Sequence, residues 1–596
     1  MAHGHRDVVL SAIGNFTQSE TNTFQSFFHL ETATMMSDQR SFATTSLSLG
    51  DGKRLEDGGV SASRRSAIEG AFRTSTRLDG WASEDARILG LLVSFLSPFH
   101  QLTHEFLHRG GSPRKRWALD GSITEVGATT TSLSPELTRL LSDSARLSHA
   151  LDDLSTAFLK KSNQAYFLND QAVSRIHQDL STNALLFWKT QALIVAYRAS
   201  SWKYIEPSNF DVSSILPHLQ FAAQNHKDCF KNLSADTRAD FILTLLEASR
   251  FPTIVWKRFA VAEAAANMRS LNHSQTEIWH LSSCLSSTQA MLRRLDGEHP
   301  AAVKILDTFL RQQQPNTLTH RANAAIGQVT LQRALNCLQV NDLPQAKQLL
   351  EAWSPLDKQP SLMEQVVQFR KDMTLGRTLR IQGMFSEAHT HLKWSYDLID
   401  QLRDLTFDDD RRDLTVEMAD TLRELDKPQA AEEYLRKELA RRVVDKQEVP
   451  ASGKSLLESS LAEVLFAQGR IEEAERLCIE TEARADNLMK LGKLRVCIVL
   501  AKIYHTRSDH KRALRYWNEA MKQVVRFPGA TGRTTRTILL SKQESMRSMG
   551  FVDAQDQSVK HAATSDVLQS GGMIYWIAGM RHWQDYLDSE TTRSRM

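Results

Sequence analysis

The last two-fifths of this chain repeats itself about every 42 residues, and a period of that length restricts the fold to a few repeat architectures. An alanine anchors each copy: Ala346, Ala388, Ala431, Ala474 and Ala513, at spacings of 42, 43, 43 and 39. Twelve residues earlier stands another small residue: Ala334, Gly376, Ala419, Ala462 or Ala501. A large apolar residue usually precedes it (Leu375, Met418, Leu461, Leu500), and Leu379, Leu422, Leu465 or Tyr504 follows three positions on. A turn residue falls between the two small ones: Asn341, Gly383, Asp426, Gly469 or Ser508. Small residues let two helix backbones approach closely, and the large ones fill the remaining space. The pattern therefore predicts two antiparallel helices per unit, stacked along the chain. Such stacks bind other molecules and rarely do chemistry.

The rest of the chain sets broad bounds. At 596 residues it can bury several cores. A net charge of +3 makes no electrostatic case for nucleic acid or an anionic membrane. Five cysteines (Cys229, Cys284, Cys337, Cys478, Cys497) form no CxxC pair, which predicts buried thiols in a reducing compartment. The N-terminus lacks a charged start followed by a long apolar run, so no signal peptide is expected. The longest apolar run, Ile88 to Leu96, is too short to span a bilayer, which needs about 20 residues. The expectation is a cytoplasmic protein.

Residues 1–80 are rich in Ser and Thr and read as a flexible segment, with one short helix near Thr23 to Met36. Residues 81–215 read as a small α+β unit. Ser83 starts a helix carrying Ile88, Leu92 and Phe95, which Pro98 ends. A second helix runs from Leu102 to Arg109, stopped by Gly110-Gly111. A polar loop then reaches Pro135, and two helices follow, Pro135 to Ser144 and His149 to Lys161. Ala165 to Leu168, an Asn169-Asp170 turn and Val173 to His177 read as a hairpin. Helices joined to one hairpin suggest a winged-helix-like unit. Trp188 and Trp202 read as core. Residues 216–330 are helical, as degenerate repeats, and clear repeats occupy 331–565, with Ala554 in register for a weak last copy. Residues 566–596 form a capping helix and tail, whose Tyr575, Trp576, Trp583 and Tyr586 pack on the last repeat.

The order LLVSFLSP, HEFLHRGG, ALDDLSTAFLKKSNQAYFLNDQAVSRIHQDL, AYRASSWKYIEP, ILPHLQFA over Trp81 to Leu219 and just beyond resembles the segment after the nucleotide-binding core of fungal NB-ARC/NACHT-type (STAND) signalling proteins. The family's His-x-Leu-Val-Gln step is partly kept, as Ile176-His177-Gln178-Asp179-Leu180, and Leu216-Pro217-His218 is better kept. The resemblance implies a winged-helix linker before tetratricopeptide or kinesin-light-chain-like repeats. The copies at Leu461 to Ala483 and Leu500 to Met521 fit the tetratricopeptide pattern best. The family's phosphate loop is not matched. In Gly50-Asp-Gly-Lys53, Leu47 stands where the first Gly belongs and Arg54 replaces the Ser/Thr. The resemblance thus implies a signalling protein without its ATPase, with no nucleotide expected.

On this reading Ala462, Leu465 and Ala474 are structural. Partner-binding residues should lie on the concave face, from the first helix of each pair: Arg377, Arg380, Arg423, Glu463, Gln468, Lys502 and His505. No catalytic, cofactor or metal residue is expected, and the partner is a protein or peptide. A sensor subunit working with a separate ATPase is one alternative. The other is a zinc peptidase. His104-Glu105-Phe106-Leu107-His108 matches HExxH, with both histidines on one helix face and Glu105 as general base. Against it, the third histidine of the extended motif is replaced by Arg114, Arg109 would sit beside a dication, and the helix is short. No GxSxG occurs. Arg114-Lys115-Arg116 reads as a solvated loop, and Asp408 to Asp413 as a solvated charge run between repeats.

Overall fold

The repeated pattern of small residue, apolar residue and turn becomes a stack of helical hairpins in the computed structural model. The structure describes residues 81–593, apart from 156–157, 163–164, 208–211, 252, 313–317, 445–450, 485–489, 525–532 and 552–576. The expected flexible N-terminal segment, the Thr23 to Met36 helix, the Gly50 to Lys53 loop, Ala554, Tyr575 and Trp576 lie outside the described residues.

The first unit starts with α1 (Glu84–Val93), whose N-cap Ser83 accepts from the Ala86 amide at 3.2 Å. Strand β1 (Leu102–Thr103) leads into α2 (His104–Gly111), capped by Thr103. A hairpin of β2 (Arg114–Trp117) and β3 (Ile123–Val126) precedes α3 (Pro135–Ser142) and α4 (Ser144–Ser155). The hairpin β4 (Leu159–Ser162) and β5 (Ala165–Leu168) completes an antiparallel sheet ordered β1-β5-β4. Helix, strand, helices and a closing hairpin paired back to the first strand make the winged-helix-like arrangement.

Three local expectations are corrected. The helix expected over His149 to Lys161 ends at Ser155, and Leu159 to Lys161 belong to strand β4, paired with β5. The second arm of the expected hairpin, Val173 to His177, lies in helix α5 (Asp170–Asp179). Asn169 is its N-cap, accepting from the Gln171 amide at 3.2 Å, rather than a strand turn. The polar loop before Pro135 holds the β2–β3 hairpin, so Arg114-Lys115-Arg116 is a strand and not a solvated loop. Arg114 pairs with Glu206 and Arg116 with Asp240, all but Asp240 buried.

Helix α6 (Thr182–Ala199) packs on α2, with Trp188 fully buried, and Trp202 is buried just after it. Helix α7 (Val212–Asn225) carries His218, which accepts from the Ser97 amide at 3.1 Å and donates to the Gln101 carbonyl at 3.0 Å. Desolvation holds its imidazole neutral, with a pKa of about 4. His177 stacks on Phe95 at 4.3 Å, and His226 donates to the Phe95 carbonyl at 2.8 Å. The histidine steps that carry the resemblance thus pin the segment around Phe95 and Ser97.

Helices α8 (Ala235–Ala248) and α9 (Ile254–Met268) lead into the regular stack. The pairs are α10 (Gln275–Leu295) with α11 (His299–Leu310), α12 (His320–Gln339) with α13 (Leu343–Ala352), and α14 (Leu362–Ile381) with α15 (Phe385–Gln401). Then come α16 (Asp408–Glu424) with α17 (Pro428–Val444), α18 (Ala451–Ala467) with α19 (Ile471–Glu482), and α20 (Lys490–Thr506) with α21 (His510–Val524). Helix α22 (Arg533–Ser548) follows, and α23 (Met580–Arg593) is the last described element.

Each turn between paired helices is built alike. Asn341, Gly383, Asp426, Gly469 and Ser508 all have left-handed φ, from +57° to +82°. At Gly383 its amide reaches the Arg380 carbonyl at 3.0 Å, and the Met384 amide reaches Leu379 at 2.9 Å. That is the Schellman pair of bonds, which satisfies the last carbonyls of the first helix. The same pair of bonds recurs at Gly297 and Gly550, so the geometry extends upstream into the stretch of degenerate sequence.

The anchors sit where the pairs touch. Ala334, Ala346, Ala388, Ala419, Ala431, Ala462, Ala474, Ala501 and Ala513 are all inaccessible to solvent. A Cβ on Gly376 would lie 2.6 Å from Leu392 Cγ and 3.2 Å from the Ala388 carbonyl. Gly376→Val is therefore expected to cost about 1–3 kcal/mol through overpacking, read as a lower urea midpoint. An unchanged midpoint would show that the helices do not meet there.

From α10 to α20, first helices pack side by side on the first helices of the next unit, whereas among the described residues second helices of successive units make no comparable contact. The first helices thus line one face of the stack, its inner face.

Candidate functional site

The residue directly after four of the five small anchors in the first helices is charged: Arg377, Asp420, Glu463 and Lys502, with Leu335 in that place after Ala334. Together with residues one turn on either side, they form a polar column that crosses from unit to unit. Arg377 and Arg380 of α14 both reach Glu417 of α16, at 2.6 and 2.8 Å. Burial alone would raise the Glu417 pKa, but Arg380 and Arg377 outweigh it and hold the carboxyl at about 2. Asp420 takes a bidentate pair from Arg495 of α20, with one bond at 2.9 Å, and a hydroxyl from Ser460 of α18 at 3.1 Å. Glu463 lies 3.7 Å from Arg423 and 2.9 Å from Lys502. His505 faces Ser545 of α22 at 3.3 Å, and burial lowers its pKa to about 4.

Of the expected binding residues, the structure brings Arg423, Glu463, Lys502 and His505 together, all buried. Arg377 and Arg380 sit one unit upstream. Arg377 keeps a third of its side chain exposed and Arg380 is buried. Gln468 stands apart, beyond the end of α18. It donates to the Pro428 carbonyl at 3.2 Å and to Glu432 at 2.8 Å, away from the column.

Other members of the column were missed: Glu417, Asp420, Glu424, Arg495 and Ser541. Asp420 was findable, because it occupies the same place after the small anchor as Arg377 and Glu463. The Asp408 to Asp413 run is also corrected. It opens α16 instead of lying in solvent between repeats, and buried Asp410 pairs with Lys203 at 2.8 Å. Beside it the Thr406 amide donates to the Tyr204 carbonyl at 2.7 Å, and the Met363 amide donates to Gly121, at the tip of the β2–β3 hairpin, at 3.0 Å. Segments of the first unit thus rest against α14 and the start of α16.

A further strand of chain crosses the column. The stretch from Ile577 into α23 runs over the C-terminal turns of α16, α18 and α20 and the middle of α22. The Gly579 amide donates to Glu424 at 2.5 Å, and its carbonyl accepts from Lys502 at 3.2 Å. Trp583 donates to Ser541 at 2.9 Å, with its ring 5.3 Å from that of His505.

The HExxH helix has a different environment. His104 Nε2 donates to the Ser144 carbonyl at 3.1 Å and His108 Nδ1 to the Leu141 carbonyl at 2.9 Å, tying α2 to α3 and α4. The two rings stack 5.9 Å apart, and exposed Glu105 lies 4.0 Å from Arg109. Among the described residues no group of three or more His, Cys, Asp or Glu is placed to hold a metal ion. The five cysteines are free, and among the described residues no helix is long and apolar enough to cross a membrane.

The tetratricopeptide repeat family model matches residues 457–478, the junction of α18 and α19. The stack of helical hairpins is tetratricopeptide-like. Among solved structures, a Rap protein complexed with Competence and Sporulation Factor is similar at 12% identity and a TM-score of 0.40, over 56% of this chain and 87% of that one. A STAND signal transduction ATPase with a tetratricopeptide repeat sensor, from Pyrococcus horikoshii, is similar at 10% identity and a TM-score of 0.41, over 85% of this chain and 65% of that one. A comparison with curated proteins finds no match.

Proposed function

We propose that this chain is a non-enzymatic, cytoplasmic scaffold that holds a protein or peptide segment along the inner face of its helical stack. The observation that carries the reading is the polar column of first-helix side chains, which continues across the units from Arg377 to His505. Affinity would come from a few anchors at the accessible end of this column, Arg377 first, rather than from contact area. Residues 81–215 act as a winged-helix-like linker ahead of the repeats. The sequence steps shared with STAND proteins make the chain a relative of their sensor half, with no nucleotide, nucleic acid or membrane among its ligands.

A peptide library displayed against the immobilised full-length chain tests this. Selected peptides should lose at least ten-fold in affinity against Arg377→Glu and keep their affinity for an outer-face variant, Lys393→Glu. Sensitivity to the outer variant alone would reject the inner face as the site. Nucleotide titration of the chain should give no binding, and measurable ATP turnover would reject the scaffold reading.

A further inference from the structure

A cap covers the end of a stack, but the segment beginning at Ile577 does more. It packs on α22 and also reaches back to Glu424 in α16, 155 residues earlier in sequence. Its central contacts are made by main-chain atoms: the Gly579 amide to Glu424 and the Gly579 carbonyl to Lys502, with Lys502 also held by both Glu463 oxygens. Gly579 has φ +76°, and a Cβ there would meet the Glu463 carboxylate carbon at 2.6 Å. Only glycine fits both constraints. Two residues on, Arg581 reaches the Glu424 carbonyl at 2.6 Å and its carboxylate at 3.4 Å, and lies over the Phe385 ring. Four residues on, buried Trp583 enters a pocket of Phe466, His505, Trp517 and Ser541.

Main-chain bonds at Gly579, with separate pockets for a cation and an indole on the helix that follows, are the means by which a groove reads the start of a helical peptide. The floor under Gly579 is charged, while Ile577, Met580, Trp583 and Leu587 on either side of it are buried against apolar residues of the stack. Resting on the scaffold reading above, we infer that the groove over α16, α18, α20 and α22 is a peptide site occupied by the chain's own residues 577–593. Its partner is a peptide of the same chemistry: a glycine able to take left-handed φ, a cation two residues on and an indole four residues on.

The test uses the full-length chain and a fluorescent synthetic peptide of residues 577–593. Gly579→Asp places a side chain against Glu463 and should release the segment while repeat helicity is retained. The peptide should then bind this variant at least ten-fold more tightly than the unchanged chain, and adding Lys502→Met should abolish the gain. Trp583→Ala, which empties the indole pocket, should open the site in the same direction and decides the matter if Gly579→Asp alone fails to fold. Equal binding to variant and parent, binding to neither, or unfolding of the repeats by both variants would overturn the proposal. So would a swapped dimer of the variant with no peptide binding. Because the library experiment reports on Arg377, outside this segment's contacts, it can fail or succeed independently.

Discussion

Asp420→Ala should lower the unfolding free energy by about 3–5 kcal/mol, the cost of leaving a buried charge without its partner. Asp420 and Arg495 have side chains 2% and 4% exposed, and they tie α16 to α20 across the intervening unit. The alanine keeps the guanidinium in place and removes both bonds to it. Adding Arg495→Met should recover much of the loss, because two apolar side chains need no desolvation of charge. Chemical unfolding of the two single variants and the double variant measures the coupling. If Asp420→Ala shifts the midpoint no more than a surface substitution would, the column is hydrated and not a buried ladder.

Acid should unfold this protein in two stages. His218 and His505 are held neutral to about pH 4, whereas in the open chain they take up a proton near 6.5. Between those values the unfolded state binds more protons, so stability falls as pH drops from 6.5 towards 4. Each histidine contributes on the order of 3 kcal/mol to that fall. Glu417 behaves as a depressed carboxylate. Its contribution is complete above the ordinary value of 4.5 and is lost as pH falls towards about 2. Urea midpoints across pH 7 to 3 should therefore decline early, and His505→Gln should flatten the stretch between 6.5 and 4. A His505→Gln profile parallel to that of the parent would show that His505 is solvated.

The stack was legible in sequence because its rules are local. A small residue, an apolar neighbour and a left-handed turn residue recur within one hairpin, and Asn341 through Ser508 all sit at the turns expected of them. The column was only half legible. Arg423, Glu463, Lys502 and His505 stand in inner-face register, but nothing local says that their partners come from neighbouring units and from Gly579. The same distance hid the β2–β3 hairpin. Arg114-Lys115-Arg116 reads as solvated until Glu206 and Asp240, 92 and 124 residues away, are folded against it. Asn169 was misread for a different reason: the same side chain that favours a turn also caps a helix.

The central claim is that recognition belongs to the inner face of the stack. The most direct measurement places a photoreactive benzophenone side chain at position 370, half-buried two turns before Arg377 on the same face of α14, and in a second preparation at position 394, where Trp394 is exposed on an outer helix. Each full-length protein, with Arg377 kept, is irradiated with the peptides selected from the library. Adducts from position 370 and none from 394 are the predicted result. Adducts from 394 and none from 370 would contradict it.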